Sequence, residues 1–241
     1  MIWCIHGFLG RGADWHPFLG AFAWMGFKSV QRIDLFAAPP EDLDLPGWGA
    51  AFAGKVAAVD PAPVLLGYSL GGRLALHALL HRPHRWKAAV IVSAHPGLEC
   101  EAERAERRKR DSLWAGQFET EPWEPLLRAW DSQAVFGKGR MRLERPEAAY
   151  DRAALCSALK RWSLGTQKNL LSSLGHLPFP VLWFTGGEDE RFTRLGEAAV
   201  QRLPEGILRV VKGASHRVPW EAPHAFIQEM GDFFSAVTIR E

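Results

Sequence analysis

Short apolar runs alternate along this chain with longer stretches in which apolar residues recur at helical spacing. These strand-like runs cover 2–5, 29–35, 63–67, 88–93, 181–185 and 207–211; the segment 29–35 is mixed apolar and polar, and the others are mostly apolar. The stretches with helical periodicity cover about 13–25, 47–58, 70–82, 193–203 and 222–236. A strand, a loop and a helix repeated in this order predict an α/β architecture, a mostly parallel sheet covered by helices on both faces.

The segment 98–165 interrupts this alternation, because it contains no convincing strand pattern. It carries helical stretches, mixed charge and several tryptophans. Charges of alternating sign over 101–110 are typical of a solvated helix face. We therefore predict one α/β core, made of 1–97 and 166–241, and a helical insertion, 98–165, that caps it.

Composition and charge exclude several classes of protein. The 241 residues are 47% apolar and 23% charged, as in ordinary globular domains, and the net charge of +2 is too small to indicate a nucleic-acid partner. The three cysteines, Cys4, Cys100 and Cys156, lack metal-ligand spacing, so no metal site is expected. No run approaches the ~20 apolar residues of a membrane span, and the first residues lack the pattern of a signal peptide. We expect a reduced cytoplasmic protein, a monomer or a small homo-oligomer, without a membrane partner.

The strongest chemical motif is Gly-Tyr-Ser-Leu-Gly at 67–71, a G-x-S-x-G sequence. An apolar strand pattern precedes it and a helical pattern follows it, which is the context of a nucleophile elbow. This context presents Ser69 at a helix N-terminus, where backbone N–H groups favour developing negative charge. The alternative is a serine that only caps the helix after a glycine turn.

A nucleophile elbow predicts an acid and a histidine later in the chain, in that order. Asp189 follows the fifth apolar run and is the predicted acid, with Glu188 in reserve. His216 follows the sixth run and is the one histidine of the nine in that loop. In such a triad His216 takes the proton of Ser69, and Asp189 orients the imidazole.

The sequence His-Gly-Phe-Leu-Gly at 6–10 follows the first apolar run. In nucleophile-elbow enzymes this loop donates one backbone N–H to an oxyanion site, and the residue after the serine donates the other. The predicted donors are therefore the N–H groups of Phe8 and Leu70. Together these segments resemble the α/β-hydrolase superfamily. There the His-Gly pair normally follows the third strand, so we expect the usual N-terminal hairpin to be missing.

A closer resemblance rests on a combination of segments. They are 6–10 with Asp14-Trp15, 67–76, 93–98 with the arginine-rich 103–107, and 189–192. In combination they resemble the 2-succinyl-6-hydroxy-2,4-cyclohexadiene-1-carboxylate synthases of menaquinone biosynthesis. The resemblance implies a lyase without a cofactor, whose triad acts as a base. The implied reaction eliminates pyruvate from a small anionic substrate, a cyclohexene that carries succinyl, carboxylate and enolpyruvyl groups.

Such a substrate carries several carboxylates, so its pocket needs fixed cations. Arg73 lies four residues after Ser69, hence on the same helix face one turn along. The resemblance implies further substrate-binding roles for Tyr68, Arg107, Trp130 and Arg191. It also implies a later arginine in the insertion, for which Arg145 and Arg152 both fit.

Two departures from the family leave other activities open. The family commonly has Gly-His-Asn around the catalytic histidine, whereas this chain has Ser215-His216-Arg217, and Arg191 stands where lysine is usual. The alternative activity is that of a serine hydrolase, a carboxylesterase or thioesterase for small acyl substrates. A third hypothesis is a binding protein without catalysis. The arginines separate the first two hypotheses, because a neutral ester needs no fixed cation.

Overall fold

The parallel sheet predicted from the sequence is confirmed by the computed structural model, which describes residues 1–36, 42–137 and 144–239. The six strands of these residues are β1 (Ile2–Ile5), β2 (Val30–Ile33), β3 (Val64–Tyr68), β4 (Ala88–Val92), β5 (Val181–Gly186) and β6 (Gly206–Val211). All neighbours pair in parallel, in the order β2-β1-β3-β4-β5-β6. The chain reverses its direction across the sheet between β1 and β3. Ligands of open parallel sheets bind outside the carboxyl ends of the strands at such a point.

Helices connect most of the strands, as predicted. Their bounds are α1 (Leu19–Trp24), α2 (Leu45–Val59), α3 (Leu70–His81), α4 (Glu101–Thr120), α5 (Trp123–Asp131), α6 (Arg152–Arg161), α7 (Glu190–Val200), α8 (Val218–Glu221) and α9 (Pro223–Ile239). The stretch predicted as one helix over 13–25 begins instead as a 3-10 helix, Gly12–Phe18, before α1. Pro17 lies in that turn, and its missing backbone N–H disfavours a regular α-helix there. No helix of the described residues is both long and apolar enough to cross a lipid bilayer.

Apolar side chains fill both faces of the sheet, because successive residues of a strand point to opposite sides. Ile5 and Leu65 face one apolar layer, which they share with α2, α3 and the helices of the insertion. Cys4 and Leu66 face the other layer, which they share with α1, α8 and α9. The central strands are therefore held rigidly between two layers of helices, and the loops at their carboxyl ends are fixed in place.

The helical insertion lies between β4 and β5. Its described parts, 98–137 and 144–165, contain α4, α5 and α6 and no strand. Several hydrogen bonds tie it to the core; in two of them Trp162 Nε1 donates to the carbonyl of Leu43 at 3.1 Å, and the Tyr150 hydroxyl donates to the carbonyl of Leu9 at 2.9 Å. Because Leu9 follows β1, the second bond holds the insertion beside the carboxyl end of the sheet.

Candidate active site

Ser69 lies in the tight turn between β3 and α3. Its backbone has φ 52° and ψ −112°, in the left-handed half of φ space that non-glycine residues rarely adopt. The turn places Leu70 as the first residue of α3, where a backbone N–H has no acceptor within the helix. The local structure is therefore that of a nucleophile elbow, with a hydroxyl and an N–H donor side by side.

The elbow depends on a close approach between α3 and the end of β1. A Cβ added at Gly71 would collide with the carbonyl oxygens of Ile5 and His6. The second glycine of the G-x-S-x-G motif is thus required by backbone packing. The same approach brings the loop after β1 next to Ser69.

We expect Gly71→Ala to lower the free energy of unfolding by about 1–3 kcal/mol, because the added methyl group must displace the backbone of β1. Gly54→Ala is the matched control. Gly54 lies within α2 and has no atom within 4 Å of an added Cβ, so alanine there should stabilise the helix by up to about 1 kcal/mol. Urea unfolding measures both variants. Equal stability of Gly71→Ala and the wild type would contradict the packing argument.

His216 and Asp189 lie in line with Ser69, in loops that follow later strands. The Nε2 atom of His216 is 3.0 Å from Ser69 Oγ, and its Nδ1 atom is 3.3 Å from Asp189 Oδ2. The side chains of His216 and Asp189 are both buried. This arrangement can move a proton from the serine to the imidazole, and the buried carboxylate can stabilise the imidazolium that forms.

The carboxylate that faces the histidine is that of Asp189, whereas the Glu188 side chain is exposed. Asp189 is the N-cap of α7, and its Oδ1 atom accepts the backbone N–H of Phe192 at 3.2 Å. That bond turns the other oxygen toward His216. The cap also explains why α7 begins at Glu190, three residues before the predicted start of this helix at about 193.

The loop after β1 forms a turn closed by a hydrogen bond from Gly10 N to the carbonyl of Gly7, 3.0 Å long. Leu9 in this turn has φ 58°. His6 holds the turn, because its Nε2 atom accepts the backbone N–H of Leu35 at 2.9 Å and its Nδ1 atom lies 2.8 Å from the carbonyl of Gly7. Phe8 is thereby presented to the same cavity as Ser69.

That cavity is small and measures about 40 Å³. The wall of the cavity includes residues predicted to bind substrate or to form the oxyanion site. It also includes residues that the sequence analysis did not identify. Around Ser69 the wall includes Phe8, Tyr68, Trp130, Arg145 and Arg217. Of the two arginines left open in the insertion, Arg145 lines the cavity. Arg152 instead pairs with Glu147 and donates to the carbonyl of Phe118.

Tyr68 and Trp130 provide contrasting surfaces of this cavity. Burial raises the pKa of the Tyr68 phenol, although nearby Arg217 and Arg145 act in the opposite direction. The phenol therefore remains a protonated O–H group at neutral pH. The Trp130 ring packs against Phe8, with ring centroids 4.8 Å apart, and forms an apolar wall.

Arg73, Arg107 and Arg191 are not among the residues that line this cavity, although Arg73 follows Ser69 by one helical turn, and the charges of all three act on His95 beyond the end of β4. Burial first, and then the charges of the three arginines, lower the pKa of His95 to about 3. The Nδ1 atom of His95 accepts the backbone N–H of Gly97 at 3.0 Å, as a neutral imidazole can. The sequence-predicted arginines therefore form a cationic region of their own around a neutral histidine.

Arg73 is buried, and among the described residues its hydrogen-bond acceptors are neutral. Its guanidinium donates to the carbonyl of Trp162 at 2.6 Å and to Gln167 Oε1 at 3.2 Å. Burial lowers the pKa of Arg73 to about 9. Arg107 differs, because its Nε atom contacts both oxygens of Asp111, at 2.8 and 2.9 Å. A buried cation without a carboxylate in contact is costly, so the surroundings of Arg73 favour an anionic ligand.

Stability is expected to fall as the pH is lowered from about 7 toward 4.5, and His95→Asn should flatten this dependence. The folded protein keeps His95 neutral, whereas His95 of the unfolded chain takes up a proton below about pH 6.5. Because the unfolded state then binds more protons than the folded state, the free energy of unfolding falls by up to ~1.4 kcal/mol per pH unit as the pH is lowered. Burial also lowers the pKa of His77 to about 4, so the variant should remove only part of the slope.

Urea unfolding across this pH range measures the effect. The control is His176→Asn, which replaces an exposed histidine. Equal pH slopes in the wild type and His95→Asn would contradict the buried, neutral state of His95.

Several residues of the site were not predicted from the sequence. Phe136, Trp220 and Arg217 line the cavity, and Asp131 contacts Arg217. Arg217 carried one signal, because it follows His216 directly where the family commonly has asparagine. Trp220 carried none, since aromatic residues are frequent in this chain. No group of three or more His, Cys, Asp or Glu side chains within the described ranges could hold a metal ion.

A serine at a nucleophile elbow, with a histidine and an acid on later loops of a parallel sheet, defines a class of enzymes. The chain belongs to the alpha/beta hydrolase family, whose model matches residues 4–229, and the predicted fold is thereby confirmed. The chain is 32% identical to the 2-succinyl-6-hydroxy-2,4-cyclohexadiene-1-carboxylate synthase of Pectobacterium atrosepticum, over 96% of this chain and 92% of the relative. It is 30% identical to the enzyme of the same name from Serratia proteamaculans, over 97% and 92%. The structure of MenH from S. aureus superposes with a TM-score of 0.88 at 21% identity, over 98% of this chain and 94% of that one.

Proposed function

We propose that this enzyme is a lyase that eliminates pyruvate from a succinylated enolpyruvyl-cyclohexene carboxylate in menaquinone biosynthesis. The observation that carries the proposal is the buried Arg73, one helical turn from Ser69, with neutral partners only among the described residues. A neutral acyl ester would leave this cation uncompensated, whereas a polyanionic substrate supplies the missing charge. The names of the relatives from Pectobacterium atrosepticum and Serratia proteamaculans support the same substrate.

In the proposed reaction, Ser69, His216 and Asp189 act together as a base. Ser69 Oγ receives the ring-associated proton of the substrate as its own proton passes to His216 Nε2, 3.0 Å away. The electron pair of the broken C–H bond shifts through the ring, and the C–O bond to the enolpyruvyl group breaks. The leaving group takes up a proton and departs as pyruvate. A positioned base of this kind contributes ~10²–10⁴-fold to the rate.

The negative charge that develops on the substrate needs donors as well as a base. The backbone N–H groups of Phe8 and Leu70 are the proposed donors, because both lie beside Ser69 at the carboxyl end of the sheet. One donor of this type is typically worth ~3 kcal/mol in the transition state. We assign substrate carboxylates to Arg73, Arg107 and Arg191, and we assign the apolar ring face to Trp130 and a donated O–H to Tyr68.

The test of this function is the release of pyruvate by the purified wild-type protein from the enolpyruvyl substrate, followed with lactate dehydrogenase and NADH. We expect stoichiometric release of pyruvate without any added metal or cofactor. The companion assay supplies p-nitrophenyl esters of small neutral acids. Rapid ester turnover together with no pyruvate release would replace the lyase by a serine hydrolase.

A further inference from the structure

The Tyr150 hydroxyl of the insertion contacts the loop that carries one of the proposed oxyanion donors. It donates a hydrogen bond to the carbonyl of Leu9 at 2.9 Å. The N–H of the same peptide unit, that of Gly10, donates to the carbonyl of Gly7 at 3.0 Å. The peptide unit between Leu9 and Gly10 is therefore held at both polar ends, its carbonyl by the insertion and its N–H by the loop itself.

The carbonyl of Gly7 in turn sets the direction of the Phe8 N–H, which belongs to the same peptide unit. Besides Gly10 N–H, this carbonyl contacts His6 Nδ1 at 2.8 Å. Because His6 Nε2 accepts the backbone N–H of Leu35, the ring proton lies on Nδ1 and is donated to Gly7. A peptide unit is planar and trans, so the Phe8 N–H points away from these two donors.

The loop adopts a conformation that needs support from outside. Leu9 has φ 58°, in the left-handed region that non-glycine residues rarely adopt. A Cβ added at Gly10 would lie 2.9 Å from the His6 side chain and 3.0 Å from the carbonyl of Gly7, so the turn is tightly closed. Backbone strain of this kind persists only where the surroundings hold the segment in place. The hydrogen bond from Tyr150 supplies such support to the carbonyl of the strained residue.

The surroundings of Tyr150 suit its hydroxyl to the role of a donor. Its ring packs against Trp123, with centroids 5.3 Å apart. Burial raises the pKa of the phenol to about 12, although the charge of Arg145 acts in the opposite direction. The hydroxyl is therefore protonated at neutral pH, as a bond to a carbonyl requires. The chain contains only two tyrosines beside 14 phenylalanines, and here the hydroxyl has a specific partner.

We propose that Tyr150 is a positioning residue of the oxyanion site, whose hydroxyl orients and polarises the Phe8 N–H through the peptide units of the loop. All hydrogen bonds between them run in one direction, because each peptide unit accepts at its carbonyl and donates at its N–H. Hydrogen bonds in such a chain strengthen one another. The inference rests on the proposed function only for the oxyanion role of Phe8. It implies that the helical insertion completes an oxyanion site whose donors belong to the core.

The first test compares the amide resonances of Gly10 and Phe8 in Tyr150→Phe and in the wild type, by NMR of the 15N-labelled, deuterated full chain. We expect the Gly10 amide proton to move upfield and to exchange with solvent about threefold to tenfold faster, as the loss of one supporting hydrogen bond predicts. The Phe8 amide proton should move upfield as well. Thr120→Val is the control, because Thr120 is an exposed residue of the insertion whose hydroxyl also donates to a backbone carbonyl, that of Gly116. Unchanged resonances of both amides in Tyr150→Phe overturn the proposal.

A tyrosine analogue with a stronger donor gives the opposite expectation. Site-specific replacement of Tyr150 by 3-fluorotyrosine keeps the ring and the hydroxyl but makes the phenol more acidic. Both amide protons should then move downfield, whereas a hydroxyl that only braces the loop would leave them at their wild-type positions and contradict the proposal. If Tyr150→Phe does not fold, the comparison of the fluorinated protein with the wild type decides alone.

The kinetic test connects this chain of hydrogen bonds with catalysis. In the pyruvate-release assay, Tyr150→Phe should lower kcat by about tenfold and leave KM within about twofold, because the oxyanion donors act on charge that develops after binding. A raised KM with unchanged kcat means that Tyr150 only holds the insertion over the substrate, and the proposal fails. If the wild type releases no pyruvate, the amide resonances still decide, so failure of the lyase reaction and failure of this inference are distinguishable.

Discussion

Ser69→Ala is expected to lower kcat for pyruvate release by about a thousandfold, with little change in KM. The hydroxyl is the group that passes the proton from the substrate to His216 Nε2, and a positioned base is worth ~10²–10⁴-fold. Alanine removes that path without changing the arginines that hold the substrate. Steady-state kinetics with the lactate dehydrogenase assay measures both constants.

Ser157→Ala is the matched control for this variant. Ser157 lies on α6, where its hydroxyl accepts a hydrogen bond from an exposed arginine, Arg161. We expect wild-type kinetics there. His216→Gln should match the loss in Ser69→Ala, because the two groups act as one unit. If Ser69→Ala released pyruvate at a rate within about tenfold of the wild-type rate, Ser69 would not be part of the proposed base.

Arg73→Met is expected to lower kcat/KM for the lyase reaction by about a hundredfold or more, mainly through KM. Removing one partner of a hydrogen-bonded charge pair with a substrate carboxylate costs about 2–5 kcal/mol of binding free energy. The fold should change little. The loss of the bonds to Trp162 and Gln167 costs about 1–3 kcal/mol, and the removal of a buried charge offsets part of that cost.

The control for Arg73→Met is Arg85→Met. Arg85 also donates to a backbone carbonyl, that of Ala57 at 3.1 Å, but it is exposed. Urea unfolding of all variants separates binding from stability. Unchanged kcat/KM in Arg73→Met, or a loss of activity that only follows a loss of folded protein, would show that Arg73 has a structural role alone.

Much of the fold could be predicted from the sequence, because its signals are local. The four inner strands have nearly continuous apolar runs, since a parallel strand buried on both faces needs apolar residues at almost every position, whereas the edge strands β2 and β6 include polar residues. The elbow is equally local: Gly71 is required by contacts with Ile5 and His6. Where the prediction erred, as with a single helix over 13–25, the cause was also local, because Pro17 interrupts the helical pattern.

The sequence identified arginines as candidate substrate-binding residues, but it did not predict where their side chains lie. Arg73 shares a helix face with Ser69, yet its guanidinium is held by Trp162 and Gln167 of the chain beyond α6. Arg145 and Arg152 were equivalent as sequence features. A long side chain can reach several neighbours from one backbone position, so its direction depends on which acceptors the tertiary structure brings near.

The order of strands and helices, the elbow at Ser69 and the loops of Asp189 and His216 could thus be predicted from local sequence patterns. These features depend on apolar periodicity and on turns within a few residues. The contact between Arg217 and Asp131, which are 86 residues apart in the chain, could not be predicted in this way. The insertion and the sheet pack together through many weak apolar contacts, and no short segment of the chain encodes the position in which they meet.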